Sequence, residues 1–202
     1  MPLLGKIKNV GRRVLQSWGS ASVKRKLWNS EFSGGRWDYI ENTPGDCVYP
    51  FLKKYAGGGG ILDLGCGAGN TGNELEAEAY GNYTGVDVSD VAVQKATQRS
   101  VANGRSQKNE YFQSDILSYL PARSYRVILF RESIFYIPLG KIKPALDRYA
   151  KHLEADGVFV VRICDREKYR DIVELIERDF AALDKYLPNE VSTILIVFRP
   201  RR

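Results

Sequence analysis

Ile61-Leu62-Asp63-Leu64-Gly65-Cys66-Gly67-Ala68-Gly69-Asn70-Thr71-Gly72 is the stretch on which the rest of the 202-residue chain is organised. Its apolar start, bounded upstream by Gly57 to Gly60, has the length and composition of a buried strand. The run breaks into a turn whose alternating glycines let a ligand approach the backbone before a helix begins. A strand, a glycine turn and a helix in that order form the front edge of a nucleotide-type pocket.

Two classes of cofactor compete for such an edge, because Gly67-x-Gly69-x-x-Gly72 also satisfies the dinucleotide fingerprint. Asp63 separates them. A pyrophosphate resting on a helix N-terminus would have its favourable field partly cancelled by a fixed negative charge at the strand's mouth. S-adenosylmethionine carries no phosphate; it offers an ammonium and a sulfonium, and a carboxylate here attracts both.

The pattern Asp63-x-Gly65-x-Gly67-x-Gly69 resembles motif I of the class I S-adenosylmethionine-dependent methyltransferases. Later signposts of that family follow in order: an acid, Asp87, closing the second strand ahead of Val88, and the pair Asp115-Ile116 after the third. The resemblance covers roughly residues 58 to 200. It implies an α/β fold with a Rossmann-like doubly wound sheet of seven strands, mostly parallel with a C-terminal antiparallel hairpin. It also implies S-adenosyl-L-methionine as cofactor, held by Asp63, Gly65, Cys66, Gly67, Gly69, Asn70, Asp87, Val88, Asp115, Ile116 and Arg131, with Asp115 near the adenine amino group and Ile116 on the ring. Asp87, at a strand end, can accept two hydrogen bonds from vicinal ribose hydroxyls.

Composition is that of a globular chain: 44% hydrophobic residues and only 8 prolines, enough to bury a core without staples. Cys47, Cys66 and Cys164 are widely spaced, which suggests a reducing compartment with neither a disulfide framework nor a zinc site. No run of 18 apolar residues exists to span a membrane, and basic residues interrupt the N-terminus where a secretory signal would be apolar. A cytoplasmic location, with no metal, is the expectation.

The net charge of +6 suggests nucleic acid until it is located. Residues 1 to 30 contribute Lys6, Lys8, Arg12, Arg13, Lys24, Arg25 and Lys26 and no acid, and Arg199, Arg201 and Arg202 lie at the other end. The remainder holds 20 basic against 24 acidic residues, so a broad phosphate-binding face is not expected in the body.

Residues 1–43 read as a basic amphipathic helix followed by an aromatic lid segment, and residues 44–202 as the cofactor-binding domain. Leu3, Leu4, Ile7, Val10, Val14, Leu15 and Trp18 recur at helical spacing, ending near Gly19. Such a helix docks on the domain, or makes a weak contact with a membrane surface or another protein through residues 3–18. The stretch from Trp28 to Tyr39 has no clear periodicity; the resemblance to the methyltransferase family, where the segment before the core often closes over cofactor and acceptor, makes Trp37 and Tyr39 candidates for a lid. Helices are expected from Pro44, over 71–80, 91–103, 139–153 and 167–180, with a closing hairpin of 183–187 and 193–198 around Pro188-Asn189.

In the resembling fold the loop after the fourth strand, here Arg131-Glu132-Ser133-Ile134-Phe135-Tyr136, faces the transferring methyl. Glu132 and Tyr136 are therefore the candidate catalytic residues, with Glu132 the best-placed base for a hydroxyl or protonated amine. The Asn-Pro-Pro-aromatic signature of amide and exocyclic-nitrogen methylases is absent. His152, the sole histidine, reads as a solvated or capping residue. The expected activity is methyl transfer to a small-molecule O, N or C nucleophile by in-line displacement. An RNA or protein methylase using the basic N-terminus, a cofactor-binding scaffold without chemistry, and a nicotinamide oxidoreductase are the alternatives.

Overall fold

A computed structural model describes residues 3–40, 42–188 and 192–201. Strands β1 (Gly60–Leu64), β2 (Asn82–Asp87), β3 (Asn109–Gln113), β4 (Tyr125–Arg131), β5 (Leu153–Ile163), β6 (Phe180–Tyr186) and β7 (Ile194–Pro200) form one sheet in the order β3-β2-β1-β4-β5-β7-β6. The first five run parallel, and β7 lies antiparallel to both β5 and β6. The seven-stranded, mostly parallel sheet with a reversed C-terminal hairpin is thus the one expected. Its strand order reverses between β1 and β4, where the chain winds away in opposite directions and opens a crevice at the carboxyl ends.

Both faces of the sheet are covered, so its central strands are apolar without interruption. Residues alternate by the strand's period of two. Ile61, Val127, Leu129, Val160 and Val197 pack on one face with Val48 and Leu52 of α3 (Val48–Ala56). Leu62, Ile128, Phe130, Val161 and Phe198 pack on the other with α6 (Leu139–Ala150) and α7 (Arg170–Asp179). Each fully buried side chain of this size contributes on the order of 1.5–3 kcal/mol of transfer free energy.

Helix α1 (Leu3–Trp18) spans the residues its apolar spacing marked. The side chains of the stripe members Leu3, Leu4, Ile7 and Val10 lie outside the described residues, as does Asn189 of the closing turn. Val14, Leu15 and Trp18 point to solvent, whereas Gln16 is buried. The described part of α1 therefore docks with polar residues inward.

Three local readings change. Trp28 does not begin a loop; it belongs to a second helix, α2 (Ala21–Ser33), whose N-cap Ser20 accepts from the Val23 N–H at 3.4 Å. The expected helix at 71–80 is only α4 (Asn70–Glu74), followed by a 3-10 turn at Ala77–Ala79. Here side chains take over the carbonyls that would extend the helix. The Gly72 carbonyl accepts from Tyr80 Oη, Asn109 Nδ2 and Arg105 Nη1, and Arg105 also holds the Leu75 carbonyl. Finally, the third strand, expected to run from Glu110 to Asp115, stops at Gln113, leaving Asp115 in a turn where its Oδ1 accepts from the Leu117 N–H at 2.8 Å. Helix α5 (Asp90–Ala102), capped by Ser89, follows β2. Among the described residues no helix is long and apolar enough to cross a membrane.

Candidate active site

The crevice at the strand ends is a cavity of about 520 Å³. Its floor is the glycine loop. Gly65 holds φ +86°, and a Cβ there would stand 2.4 Å from the Ser133 Cβ, so the turn after β1 and the loop after β4 are in contact. The loop uses its own hydrogen-bond donors. The N–H groups of Gly65 and Cys66 both bond the Val86 carbonyl, Gly69 N–H bonds the Cys66 carbonyl, and Gly67 N–H bonds Asp87 Oδ2 at 3.0 Å. A phosphate cradle needs such groups free. This one has spent them, and α4 beyond it has only five residues.

Asp63 is 1% exposed, and its Oδ2 accepts from the Tyr83 hydroxyl at 2.6 Å. Burial raises its pKa to about 6, opposed by the Tyr83 hydrogen bond and the field of Arg131. Its Oδ1 is buried without a hydrogen-bond partner. A buried lone acceptor on a cavity-lining carboxylate is costly by itself, and an ammonium donor supplies what it lacks. Asp87 also titrates at about 6 because of burial, although its oxygens hold the Ser89 and Gly67 N–H groups. Two acids and a turn whose Gly65, Cys66, Gly67 and Gly69 N–H groups are already bonded fit S-adenosylmethionine better than a pyrophosphate.

Of the residues expected from the sequence, Asp63, Gly65, Cys66, Gly67 and Asn70 line the floor. Asp87, Val88, Asp115 and Ile116 line one end, and Arg131, Glu132 and Tyr136 the other, with Trp37 and Tyr39 at the roof. Gly69 is off the wall. Its φ of +78° and a hypothetical Cβ at 2.7 Å from Ala96 give it a turn and packing role against α5. His152 is also off the cavity; its carbonyl accepts from the Tyr125 N–H.

Arg131 is better described as scaffold than as a free cation. Its Nη2 reaches Asp46 at 2.7 Å and Thr43 Oγ1 at 2.8 Å, and its Nη1 reaches the Tyr49 hydroxyl at 3.2 Å. Burial opposes the Asp46 carboxylate's proton loss, but the fields of Arg131 and Arg162 outweigh it and hold its pKa below the usual range. Arg162 pairs onward with Glu132. Glu132 has φ +56°, the sole non-glycine residue with positive φ among those described, a conformation that costs on the order of 1–3 kcal/mol. Its Oε2 accepts from the Cys164 N–H at 3.1 Å, so the strained residue is held from both sides. Burial pushes Tyr136 up to about 12, which keeps it a neutral phenol.

The roof is where sequence reasoning missed most. Lys24, Trp28 and Phe32, four residues apart on α2, all line the cavity. Lys24 Nζ pairs with Asp115 Oδ2 at 2.9 Å, both side chains 11% exposed. Arg25 and Asn29 both reach Asp90 Oδ1, at 2.7 and 2.6 Å. Glu31 joins the roof's parts, accepting from Gln16 Nε2 at 3.3 Å and Trp37 Nε1 at 3.1 Å and forming an ion pair with Arg12 Nε at 3.3 Å. The usable signals were Ser20 directly after Gly19, as a helix stop and start, and the spacing of Trp28 and Phe32. A lysine on the inward face obscured them.

Comparison with known proteins agrees with this geometry. Residues 61–157 match a family model described as a methyltransferase domain. No curated protein matches the sequence. Among solved structures, the N-methyltransferase NodS from Bradyrhizobium japonicum WM9, in complex with S-adenosyl-L-homocysteine, superposes with a TM-score of 0.70 at 19% identity, covering 88% of this chain and 98% of that one. The CcbJ methyltransferase from Streptomyces caelestis gives 0.68 at 12% identity over 77% and 88% of the two chains. A ribosomal protein L11 methylase from Lactobacillus delbrueckii subsp. bulgaricus gives 0.59 at 16% identity over 78% and 81%.

Proposed function

We propose that this chain, an S-adenosylmethionine-dependent class I methyltransferase, transfers its methyl group to a small-molecule O, N or C nucleophile enclosed beneath the α1–α2 roof. The observation that carries the reading is that roof. Trp28, Phe32 and Trp37 close over the glycine loop, so the acceptor shares a lined cavity with the cofactor. A polymer segment would need an open channel. The basic N-terminus is also an unpromising polymer grip, because Arg12, Lys24 and Arg25 pair with Glu31, Asp115 and Asp90 of the protein itself.

The residues divide the work. Asp63 attracts the cofactor's ammonium and sulfonium, Asp87 accepts from its ribose, and Asp115 with Ile116 faces its adenine. The aromatic segment from Trp28 acts as the lid, with Trp37 and Tyr39 at its edge. Bound S-adenosylmethionine supplies an electrophilic methyl, and transfer forms the acceptor–carbon bond as the carbon–sulfur bond breaks, its electron pair leaving on sulfur. Such a displacement draws its rate mainly from alignment and exclusion of water, which the roof provides. Glu132, fixed by Arg162 and the Cys164 N–H, orients the acceptor by accepting its N–H or O–H, and takes the proton where the acceptor must lose one. Tyr136 shapes the approach as a neutral hydroxyl.

The test is to incubate the protein and methyl-labelled cofactor with cell extract split into dialysable and macromolecular fractions. Label is expected in the dialysable fraction. Label confined to RNA or protein overturns the small-molecule reading. Glu132→Gln is expected to lower transfer by about 10²-fold or more while cofactor affinity holds.

A further inference from the structure

We propose that Arg13 and Lys168 form an anion-binding subsite at the Glu132 end of the cavity, so that the methyl acceptor carries a carboxylate or phosphate group. This rests on the reading above, in which that end receives the acceptor. Both residues line the cavity, one from α1 and the other from the loop after β5, and they converge on a single ring. The Arg13 guanidinium stands 5.2 Å and the Lys168 ammonium 5.4 Å from the Tyr169 ring centre. Arg13 is also 5.8 Å from Phe135 and 6.0 Å from Tyr136.

Two cations on one aromatic ring repel each other, and the aromatic faces offset only part of that cost. Neither has a carboxylate partner among the described residues, and Arg13 Nη2 is buried with no hydrogen-bond partner. The acids that face Tyr136 together with Arg13 are committed elsewhere. Glu31 holds Arg12, Gln16 and Trp37, and Glu132 holds Arg162 and the Cys164 N–H. A small anion between Arg13 and Lys168 relieves the repulsion and gives the unused N–H groups charge-assisted bonds. Beside it, Phe135 and Tyr169 stack with centres 4.4 Å apart and planes 5° from parallel, a flat wall against which the acceptor's hydrocarbon body lies. The cavity then has a site for a cation at Asp63 and one for an anion at Arg13, and Glu132 lines the same wall.

The experiment is calorimetry on the full chain saturated with S-adenosylhomocysteine, titrated at low ionic strength with benzoate, phenyl phosphate and the neutral benzamide. At least one anion is expected to bind about tenfold or more tightly than benzamide, and the better of the two identifies the group preferred. Arg13→Gln is expected to erase that preference and Arg13→Lys to keep part of it, with affinity for S-adenosylhomocysteine unchanged, which also reports an intact fold. Lys168→Gln, at an exposed position, is expected to weaken the anion about threefold and stands in if Arg13→Gln does not fold. The proposal is overturned if neither anion outbinds benzamide, if Arg13→Gln and Lys168→Gln bind anions as the parent does, or if Arg13→Gln loses S-adenosylhomocysteine in equal measure, which would put Arg13 on the cofactor's own carboxylate. Failure of the parent to bind S-adenosylhomocysteine would instead sink the methyltransferase reading.

Discussion

At one end of the cavity Asp63, Asp87 and Asp115 stand on or just past β1, β2 and β3, and the parallel sheet alone fixes their positions. At the other, Glu132 follows β4 and Arg162 stands near the end of β5, but their surroundings come from far along the chain: Asp46 ahead of α3, Arg13 from α1 and Tyr169 ahead of α7. At the first end Asp63 keeps one oxygen without a partner, while Asp87 holds two backbone N–H groups and Asp115 pairs with Lys24. The second contains acids already committed to arginines, with cations left over. Electrostatics thus differ in sign at the two ends, and one construction principle accompanies each: strand ends where we propose the cofactor's cationic groups bind, a braced ionic cluster where we propose the acceptor does.

The sharpest way to break this contrast is Asp46→Ala. It removes a 7%-exposed carboxylate from between Arg131 and Arg162 and leaves two guanidiniums in a low-dielectric site. A loss of about 3–5 kcal/mol in urea unfolding is expected. Because the Asp46 pKa is depressed in the fold, its stabilisation is present above the unfolded carboxyl range and is lost as pH falls through its lowered folded value.

Asp63 and Asp87 behave in the opposite sense. With both at about 6, the folded protein holds protons that the unfolded chain has released, so their contribution to stability falls as pH rises from roughly 4 to 6 and is level above. In the proposed site the cofactor's ammonium would bind the ionised form of Asp63. Affinity for S-adenosylhomocysteine is therefore expected to rise about tenfold between pH 5 and 7 by calorimetry. Asp63→Asn should weaken binding at pH 7 by about 1–3 kcal/mol and flatten much of that rise. An unaltered pH profile in the variant would remove Asp63 from the cofactor site.

The smallest effect concerns the roof that spans both ends. Lys24→Met breaks the Lys24–Asp115 pair while keeping the length of the side chain. Release of S-adenosylhomocysteine, followed by Trp28 and Trp37 fluorescence, is expected to quicken by a factor equivalent to about 1 kcal/mol. Arg25→Ala, at the more exposed Asp90 pair, should quicken it less.

The sheet was legible because its central strands are apolar runs between turn residues, and Asp63 and Asp87 were legible because chain position fixes them to strand ends. Glu132 could be placed at the mouth of β4 by the same reasoning, though its positive φ could not. Asp46, Arg162 and Tyr169 carry no local signal; their juxtaposition depends on β5 lying beside β4 and on the segment before α3 reaching over both. Helix α2 was missed for a related reason. Its inward face presents Lys24 and Glu31, which only the partners Asp115, Arg12 and Trp37 make tolerable in a buried position. The hydrophobic pattern marks α1 correctly as a helix, yet the described part turns Arg12 and Gln16, not Val14 and Trp18, toward the protein.

The inward-closed hydrogen bonding of the glycine turn bears on how this protein copes with the nucleotide pool of a cell. Any adenine nucleotide can offer the purine and ribose that Asp115 and Asp87 are placed to meet, but its polyphosphate finds no free amide of Gly65, Cys66, Gly67 or Gly69, and meets Asp63. ATP is therefore expected to compete poorly with S-adenosylhomocysteine, which a displacement titration checks.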